Sequence, residues 1–242
     1  MNLDSLLQSK TTVSLFAARE VAQLEFLKRL SSSDLKTYLA FKGGTALHLI
    51  YQTERFSEDL DFSLTKKLDG QSIMNSLDKL LAGEDVTDKV IKRRTVLYET
   101  RQVYRDNSFR LKLEINTNDI VPGEVKTMFA VHIPASFTIG VMRLDWMVAQ
   151  KVHAFINRKK ARDLFDFWFI LKTKLPLDID LVASLAQLSK AEVTKKIETR
   201  IEETTEREII TDLNPFLPAQ KRDWSRRLLK EESKQLLRAH LI

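Results

Sequence analysis

Residues 43–62 constrain this chain most, because they combine a glycine pair, a short apolar segment and a pair of aspartates. Gly43 and Gly44 open a predicted short helix, and Asp59-Leu60-Asp61 follows in a predicted strand. Glycine lets a backbone approach a phosphate closely, and a helix N-terminus favours anions. Two carboxylates on one strand face suit a Mg²⁺ ion that carries substrate phosphates. The segment therefore predicts nucleotide chemistry.

The composition is that of a globular protein without thiol chemistry. Hydrophobic residues make up 43% and charged residues 30% of the 242 residues, which excludes wholesale disorder. The absence of cysteine excludes disulfides and thiolate sites and fits a reducing cytoplasm. No apolar run predicts a membrane span, and the opening MNLDSLLQSKTT lacks the core of a secretory signal. His48, His132, His153 and His240 are scattered, so any metal is expected to have oxygen ligands.

Lys and Arg outnumber Asp and Glu by 39 to 33, which gives a formal charge of +6 and favours a polyanionic partner. The basic residues concentrate in three regions, which are either solvated faces or RNA contacts. The regions are Lys92-Arg93-Arg94 with Arg101, Arg105, Arg110 and Lys112; Arg158-Lys159-Lys160 with Arg162; and Lys221, Arg222, Arg226, Arg227, Lys230, Lys234 and Arg238.

The sequence pattern divides the chain into a mixed first part and a helical second part. Between about residues 93 and 140, apolar residues alternate with charged ones, which predicts strands, and Pro122-Gly123 and Pro134 interrupt them. We expect an α+β fold with an α/β core and N-terminal helix at 1–140 and a helical domain at 141–242. The predicted helices lie near 13–30, 45–52, 71–82, 143–157, 162–174, 178–188, 190–210 and 218–239, and the first strands at 38–41 and 59–64.

Three carboxylates are candidates for a metal site. On a strand, Asp59 and Asp61 share one face, where their charges would repel unless solvent or a cation compensates. In 109–116 the alternation places Glu114 on the polar face together with Lys112. If the two strands are neighbours, Glu114 completes a triad that can hold two Mg²⁺ ions. The alternative is a polar strand end with an ordinary exposed glutamate.

The residues around the aspartates have more than one possible role. Gly43 and Gly44 form either a phosphate-binding turn or merely a tight turn. Thr45 is a candidate N-cap, a phosphate ligand, or both. Arg55 either pairs with Asp59 or contacts a phosphate.

The helical part contains a second polar group. Lys151 falls within the apolar stripe of the helix at 143–157, where it either snorkels to solvent or meets an anion such as a triphosphate. Asp163 and Asp166 are one turn apart, and Asp166 has apolar neighbours in sequence. Asp163 can also act on the helix macrodipole. Arg158 and Arg162 are candidates for phosphate or RNA contact.

The pattern from Gly43-Gly44 to Asp59-Leu60-Asp61 resembles the first motif of the DNA polymerase beta-like nucleotidyltransferase superfamily. Together with Arg55-Phe56-Ser57 and Arg162-Asp163-Leu164-Phe165-Asp166, it is similar to the AbiEii/AbiGii toxin family. The likeness covers roughly residues 35–172, and in the residues after it we identify no family motif.

The resemblance implies a polymerase-beta-like core and a reaction that moves a nucleotidyl group from an NTP to an acceptor hydroxyl. It implies Mg²⁺ as the metal, in a two-metal site that could also take Mn²⁺. Gly44 stands where many superfamily members have Ser, and Glu114 where Asp is common. The implied catalytic residues are Asp59, Asp61, Glu114, Lys151, Asp163 and Asp166; the implied metal ligands are Asp59, Asp61 and Glu114; the implied nucleotide contacts are Gly43, Gly44, Thr45, Arg55, Ser57 and Lys151.

The resemblance also implies a toxin of a toxin–antitoxin or abortive-infection system. The expected acceptor is RNA, with the 3′ end of tRNA as one candidate, and a cognate antitoxin is an expected partner. Two alternatives stay open: an enzyme that nucleotidylates a protein, and a non-catalytic module that binds RNA or a partner. They differ in whether label from an NTP appears on RNA, on protein or on neither.

Overall fold

The computed structural model describes residues 15–130 and 135–241. They form two compact units. The sheet unit is the described part of Met1–Ile50 with Glu58–Arg143, and the helical unit is Tyr51–Ser57 with Leu144–Ile242. Along the sequence, the longer segments of the two units meet between Arg143 and Leu144, and the loop 51–57 belongs to the helical unit.

The elements follow the predicted order closely, with shifts of a few residues at their ends. Residues 13, 14 and Pro134 lie outside the described residues. The strands are β1 (Leu39–Lys42), β2 (Leu60–Leu64), β3 (Asp85–Ile91), β4 (Thr95–Tyr104), β5 (Asn107–Ile120), β6 (Gly123–Ala130) and β7 (Ala135–Met142). The helices of the sheet unit are α1 (Leu15–Ser31), α2 (Gly43–Tyr51) and α3 (Gly70–Leu80), with a 3-10 turn at Asp34–Thr37. Those of the helical unit are α4 (Leu144–Asn157), α5 (Ala161–Lys172), α6 (Ile179–Ala186), α7 (Lys190–Glu203) and α8 (Ala219–Leu241).

Two predictions differ from the structure in more than their bounds. The strand β3 was not predicted and lies before the strand-rich region that begins near residue 93. Its residues are mostly exposed, so their pattern carries little apolar alternation. The predicted helix at 190–210 ends at Glu203, since Thr204 has an extended backbone. Three short helical turns follow, at Glu206–Glu208, Ile209–Leu213 and Asn214–Phe216.

The described strands form one sheet in the order β3-β4-β5-β2-β1-β7-β6. The neighbours pair antiparallel except for β2 with β5 and β1 with β7, which are parallel. Helix α1 packs against β5 and β7, and α3 packs against β3 and β4. The buried face brings Phe62 of β2 against Phe26 and Phe41, with ring centroids 6.2 and 5.4 Å apart. Because alternate strand residues point to opposite faces, burying Phe62 directs Asp61 to the other face.

The helical unit has its own apolar core. Helix α4 packs against α5, α6 and α7, while α8 packs against α5 and α7. Phe155 and Phe167 stack with centroids 5.1 Å apart. Trp168 and Trp224 meet at 4.6 Å, and both indole N–H groups donate to the carboxylate of Glu232, at 3.0 and 2.8 Å. One surface carboxylate therefore satisfies two indole donors where α5 meets α8.

The Glu232→Ala variant should lose about 1–3 kcal/mol of unfolding free energy, because both indole donors are left without an acceptor. Glu231→Ala is the matched control, since the neighbouring Glu231 is exposed and pairs with Lys234 in an i,i+3 surface ion pair. It should change stability by less than about 0.5 kcal/mol. Urea unfolding followed by tryptophan fluorescence measures both; equal losses in the two variants would contradict the role of Glu232.

Candidate active site

The carboxylates of the sheet unit converge through strand pairing. Parallel pairing of β2 with β5 places Asp61 opposite Glu114, so the two side chains point to the same face. Asp59 lies one residue before β2 rather than within it, which corrects the sequence prediction of a strand from residue 59. The structure thus makes neighbours of the two strands that the triad hypothesis required to be neighbours.

The backbone of Asp59 and of the residue before it is anchored by helices α1 and α2. The hydroxyl of Thr45 donates to the main-chain carbonyl of Asp59. The side-chain amide of Gln23 donates to the carbonyl of Glu58 at 3.0 Å, and Arg19 pairs with the Glu58 carboxylate. Thr45 lies inside α2 and is fully buried, so it is not an N-cap. Its hydroxyl instead fixes where β2 begins.

Gly43 makes room for one of the carboxylates. Its φ of +86° lies in the left-handed region that favours glycine. A Cβ atom added there would lie 2.3 Å from Oδ2 of Asp61, so any larger residue would displace that carboxylate. Gly44 is buried in the first turn of α2. The carboxylate of Asp61 therefore lies against the N-terminus of a helix, a position that favours an anion.

Lys112 lies among these carboxylates. Its Nζ atom is 3.0 Å from Oε2 of Glu114 and 3.7 Å from Oδ2 of Asp59. Burial alone would lower the pKa of Lys112, but the hydrogen bond to Glu114 and the charges of Asp59, Glu114 and Asp61 outweigh it and raise that pKa. Sequence reasoning placed Lys112 on the face of Glu114 but assigned it to a basic region. The spacing of two residues on one strand was the signal for its role here.

The donor set fits a hard divalent cation. Asp59, Asp61 and Glu114 offer carboxylate oxygens, the ligands that Mg²⁺ prefers. In the conformation described, the ammonium of Lys112 supplies positive charge to two of them. Within residues 15–130 and 135–241, no three acidic, histidine or cysteine side chains are already arranged around a common metal position. Their chemistry therefore fits the ion, and their side chains would have to close around it.

A second polar cluster lies in the helical unit. Arg55 donates through Nε and Nη2 to the two carboxylate oxygens of Asp166, at 2.8 and 2.9 Å. Nζ of Lys151 donates to Oδ2 of the same carboxylate at 2.7 Å. The side chains of Asp166 and Arg55 are 1% and 4% exposed, and that of Lys151 is 11% exposed. Lys151 thus meets an anion of its own chain at the end of its apolar stripe rather than snorkelling freely to solvent.

The charge of Asp166 is fixed by these partners. Burial would raise its pKa, but the charges and hydrogen bonds of Arg55 and Lys151 outweigh it and lower the pKa to about 2. Asp166 is therefore an ionised acceptor at neutral pH, suited to orienting Lys151 rather than to taking a proton. Arg55 makes a contact that neither sequence alternative named, because it binds Asp166.

The loop around Arg55 is fixed by two further contacts. Glu54 pairs with Lys221, and the main-chain N–H of Phe56 donates to the carbonyl of Phe216.

Asp163 is held in a similar way, one turn before Asp166. Arg158 donates to both of its oxygens, at 2.8 and 2.9 Å. The main-chain N–H and the guanidinium of Arg162 both lie near Asp212, at 3.2 and 3.4 Å. Arg158 and Arg162 therefore have acidic partners within the helical unit.

The predicted catalytic residues are divided between the two units. Asp59, Asp61 and Glu114 lie in the sheet unit, and Lys151, Asp163 and Asp166 lie in the helical unit. Ser57 ends the loop that carries Arg55.

Many cations of the three basic regions have acidic partners in the chain. On α8, Lys221 pairs with Glu54 at 2.8 Å and Lys234 with Glu202 at 2.7 Å. Other pairs join Arg226 and Arg227 to Asp223, Arg101 to Asp85 and Arg110 to Glu99. The solvated-face interpretation thus applies to much of this charge.

A family model described as the nucleotidyl transferase AbiEii toxin of type IV toxin–antitoxin systems matches residues 25–238. The chain belongs to the AbiEii family. The family is therefore the one that the Gly-Gly and Asp-x-Asp segments indicated. The match also extends beyond residue 172, where the sequence alone suggested no relative. An AbiEii protein is an NTP-dependent nucleotidyltransferase and a toxin of a type IV system.

Solved structures show the same fold. JHP933 from Helicobacter pylori is 23% identical, with 95% of this chain and 97% of that one covered and a TM-score of 0.56. MenT4, a nucleotidyltransferase toxin from Mycobacterium tuberculosis, is 17% identical, with 97% and 91% covered and a TM-score of 0.59. No protein with curated annotation matches significantly in sequence.

No helix in the described ranges has the length and apolar character needed to cross a membrane.

The Gly43→Ala variant should be less stable than Gly83→Ala, which is its matched control. Both glycines have nearly the same φ, +86° and +85°, but a Cβ at Gly83 meets nothing within 4 Å. Gly83→Ala should cost about 1–2 kcal/mol for the left-handed backbone alone. Gly43→Ala should cost roughly a further 1–3 kcal/mol, because it also displaces Asp61. Urea denaturation measures the difference, and equal costs would show that Asp61 yields freely.

Stability should fall steeply in acid because of Asp166. Its folded pKa is about 2, below the ordinary value of about 3.9, so its contribution is complete above pH 4 and lost as the pH falls through 2. The expected loss is on the order of 2 kcal/mol. Urea unfolding from pH 5 to pH 2 should be shallower in Asp166→Asn, whereas Asp88→Asn, at an exposed position on β3, should keep the wild-type slope. A wild-type slope in Asp166→Asn would refute this assignment.

Proposed function

We propose that this AbiEii protein transfers a nucleotidyl group from an NTP, bound with Mg²⁺, to a hydroxyl group of RNA. The observation that carries the proposal is the register of β2 and β5: Asp61 lies opposite Glu114, Asp59 precedes β2 by one residue, and Asp61 packs against Gly43 at the start of α2. A structural polar strand end would not need Gly43 to make room for a carboxylate. The 3′ end of tRNA is one such acceptor.

Asp59, Asp61 and Glu114 would hold the metal. When bound, Mg²⁺ neutralises the triphosphate and favours ionisation of the attacking hydroxyl, and Mn²⁺ can replace it. A two-metal site is compatible with three carboxylates. The acceptor oxygen forms a bond to the α-phosphorus, the bond to the leaving oxygen breaks, pyrophosphate departs, and the hydroxyl proton passes to solvent. The N-terminus of α2, with Gly43 and Gly44, would favour the phosphate anion.

Lys151 would contact the triphosphate, with its ammonium group oriented by Asp166. Support for this role comes from the 2.7 Å hydrogen bond between them and from the partial exposure of the Lys151 side chain, which leaves its ammonium accessible to a second anion. Arg55 and Asp163 would act as positioning residues. Arg55 would fix the carboxylate of Asp166, and Asp163 would fix the guanidinium of Arg158. Ser57 and Thr45 would shape the segments that lead into β2.

RNA as the acceptor is supported by the net charge of +6, and the type IV family supports a cognate antitoxin and action in the cytoplasm. A protein hydroxyl as the acceptor is favoured by a different observation. Many of the basic side chains are paired with acids of the same chain, including Lys221, Lys234 and Arg158. The two acceptors are separated by treating the labelled product with ribonuclease or with protease.

Purified protein, Mg²⁺, total tRNA and each labelled NTP in turn should give label that ribonuclease removes. Asp61→Ala and Lys151→Met should each lower the rate by at least about a hundredfold, because the first removes a proposed metal ligand and the second a proposed triphosphate contact. Asp88→Ala is the control, since it removes an exposed carboxylate of the same sheet unit. Absence of transfer from all four NTPs, or equal rates in the wild type and Asp61→Ala, would refute the proposal.

A further inference from the structure

Lys112 and Glu114 occupy alternate positions on β5 and therefore share one face of the sheet. The neighbouring strand places Asp61 opposite Glu114, and Asp59 lies just before that strand. Nζ of Lys112 reaches carboxylates on both sides of this pairing, at 3.0 Å from Glu114 and 3.7 Å from Asp59. One ammonium group thus bridges two of the three carboxylates to which the proposed metal would bind.

The bridge changes the electrostatics of the cluster. Three carboxylates alone would carry a charge of −3 and repel one another, and one ammonium reduces the sum to −2. The side chain of Lys112 is 30% exposed, so its flexible stem has a path to solvent. A lysine suits such an exchange better than an arginine, because its ammonium is a point charge without a fixed bidentate geometry.

We propose that Lys112 is an internal counter-ion that competes with the divalent cation for Asp59 and Glu114, so that metal binds only when the ammonium leaves. This inference rests on the proposed function, since it takes the three carboxylates to be the metal ligands. An ammonium and a divalent cation cannot both lie within about 4 Å of the same oxygens without strong repulsion. The metal site without nucleotide is therefore weak.

The competition couples the metal to the nucleotide. A bound triphosphate brings negative charge that offsets the cost of adding a divalent ion beside a lysine, and it offers the displaced ammonium another anion. Free protein should therefore take up little metal, and protein with NTP should take up much more. Without Lys112, metal binding should depend less on the nucleotide.

The chain offers a matched control in another strand. Lys126 on β6 lies two residues from Glu124, and their charged atoms are 3.1 Å apart, much as in the pair of Lys112 and Glu114. Removing Lys126 therefore deletes the same charge from a similar pair, outside the carboxylate cluster. A change seen with Lys112 and not with Lys126 reports the local competition rather than the net charge.

Mn²⁺ binding to the full chain without nucleotide, measured from the loss of the free-ion EPR signal, tests the inference. Lys112→Met should bind Mn²⁺ at least roughly tenfold more tightly than wild type, which corresponds to about 1.4 kcal/mol. Lys112→Gln should behave likewise, Lys112→Arg should stay near wild type, and Lys126→Met should equal wild type. Adding Asp61→Asn to Lys112→Met should abolish the gain. Circular dichroism checks that each variant is folded.

Unchanged or weaker Mn²⁺ binding in both Lys112→Met and Lys112→Gln would overturn the competition. If, in that case, Asp61→Asn made in the wild-type background still weakens Mn²⁺ binding, the metal site is correct and only the role of Lys112 is wrong. If Asp61→Asn leaves Mn²⁺ binding unchanged, the metal ligands of the proposed function are wrong as well. Tighter binding without transfer from any NTP would support the competition and refute the proposed reaction. Weaker NTP binding with unchanged Mn²⁺ affinity would make Lys112 a phosphate contact instead.

Discussion

The parallel pairing of β2 with β5 is the interaction on which the carboxylate cluster depends. It joins residues more than fifty positions apart and sets Asp61 opposite Glu114. A slip of one residue would turn one of them to the buried face, where Phe62 and Leu113 lie. The burial of those apolar neighbours therefore enforces the register of the polar face. The energy that aligns the acids comes from the core behind them, which offsets the repulsion between like charges.

Buried charge is managed differently in the helical unit. Asp166 lies in an apolar core, and the two cations that reach it keep it ionised. Removing Arg55 would take one of two cations from Asp166, and removing Asp166 would take from Arg55 and Lys151 the carboxylate that both contact. The loop 51–57, which carries Arg55, belongs to the helical unit, although the residues before and after it in the sequence belong to the sheet unit. An arginine close in sequence to the Asp-x-Asp segment therefore pairs with a helix more than a hundred residues away in the sequence.

Sequence reasoning predicted much of the fold, because strand alternation and helical periodicity record which faces are buried. The segment at β2 and the helices α4 and α5 were predicted within a few residues. It missed β3, whose exposed residues leave no apolar pattern. For the candidate site, it selected the carboxylates and Lys151 as candidates from their chemistry. It did not predict the hydrogen bonds of Thr45 and Arg55, because their partners, the carbonyl of Asp59 and the carboxylate of Asp166, are brought to them only by the folded backbone.

The sequence by itself determined the family, the order of the elements and the identity of the acidic residues, since these follow from local pattern and residue chemistry. Only the tertiary structure decided that Gly43 yields its space to Asp61, that Arg55 holds Asp166, and that Lys112 bridges Asp59 and Glu114. Apart from Lys112 with Glu114, which share β5, each of these contacts joins residues from different parts of the chain. Their distances are set by strand register and helix packing, which no local pattern of residues specifies.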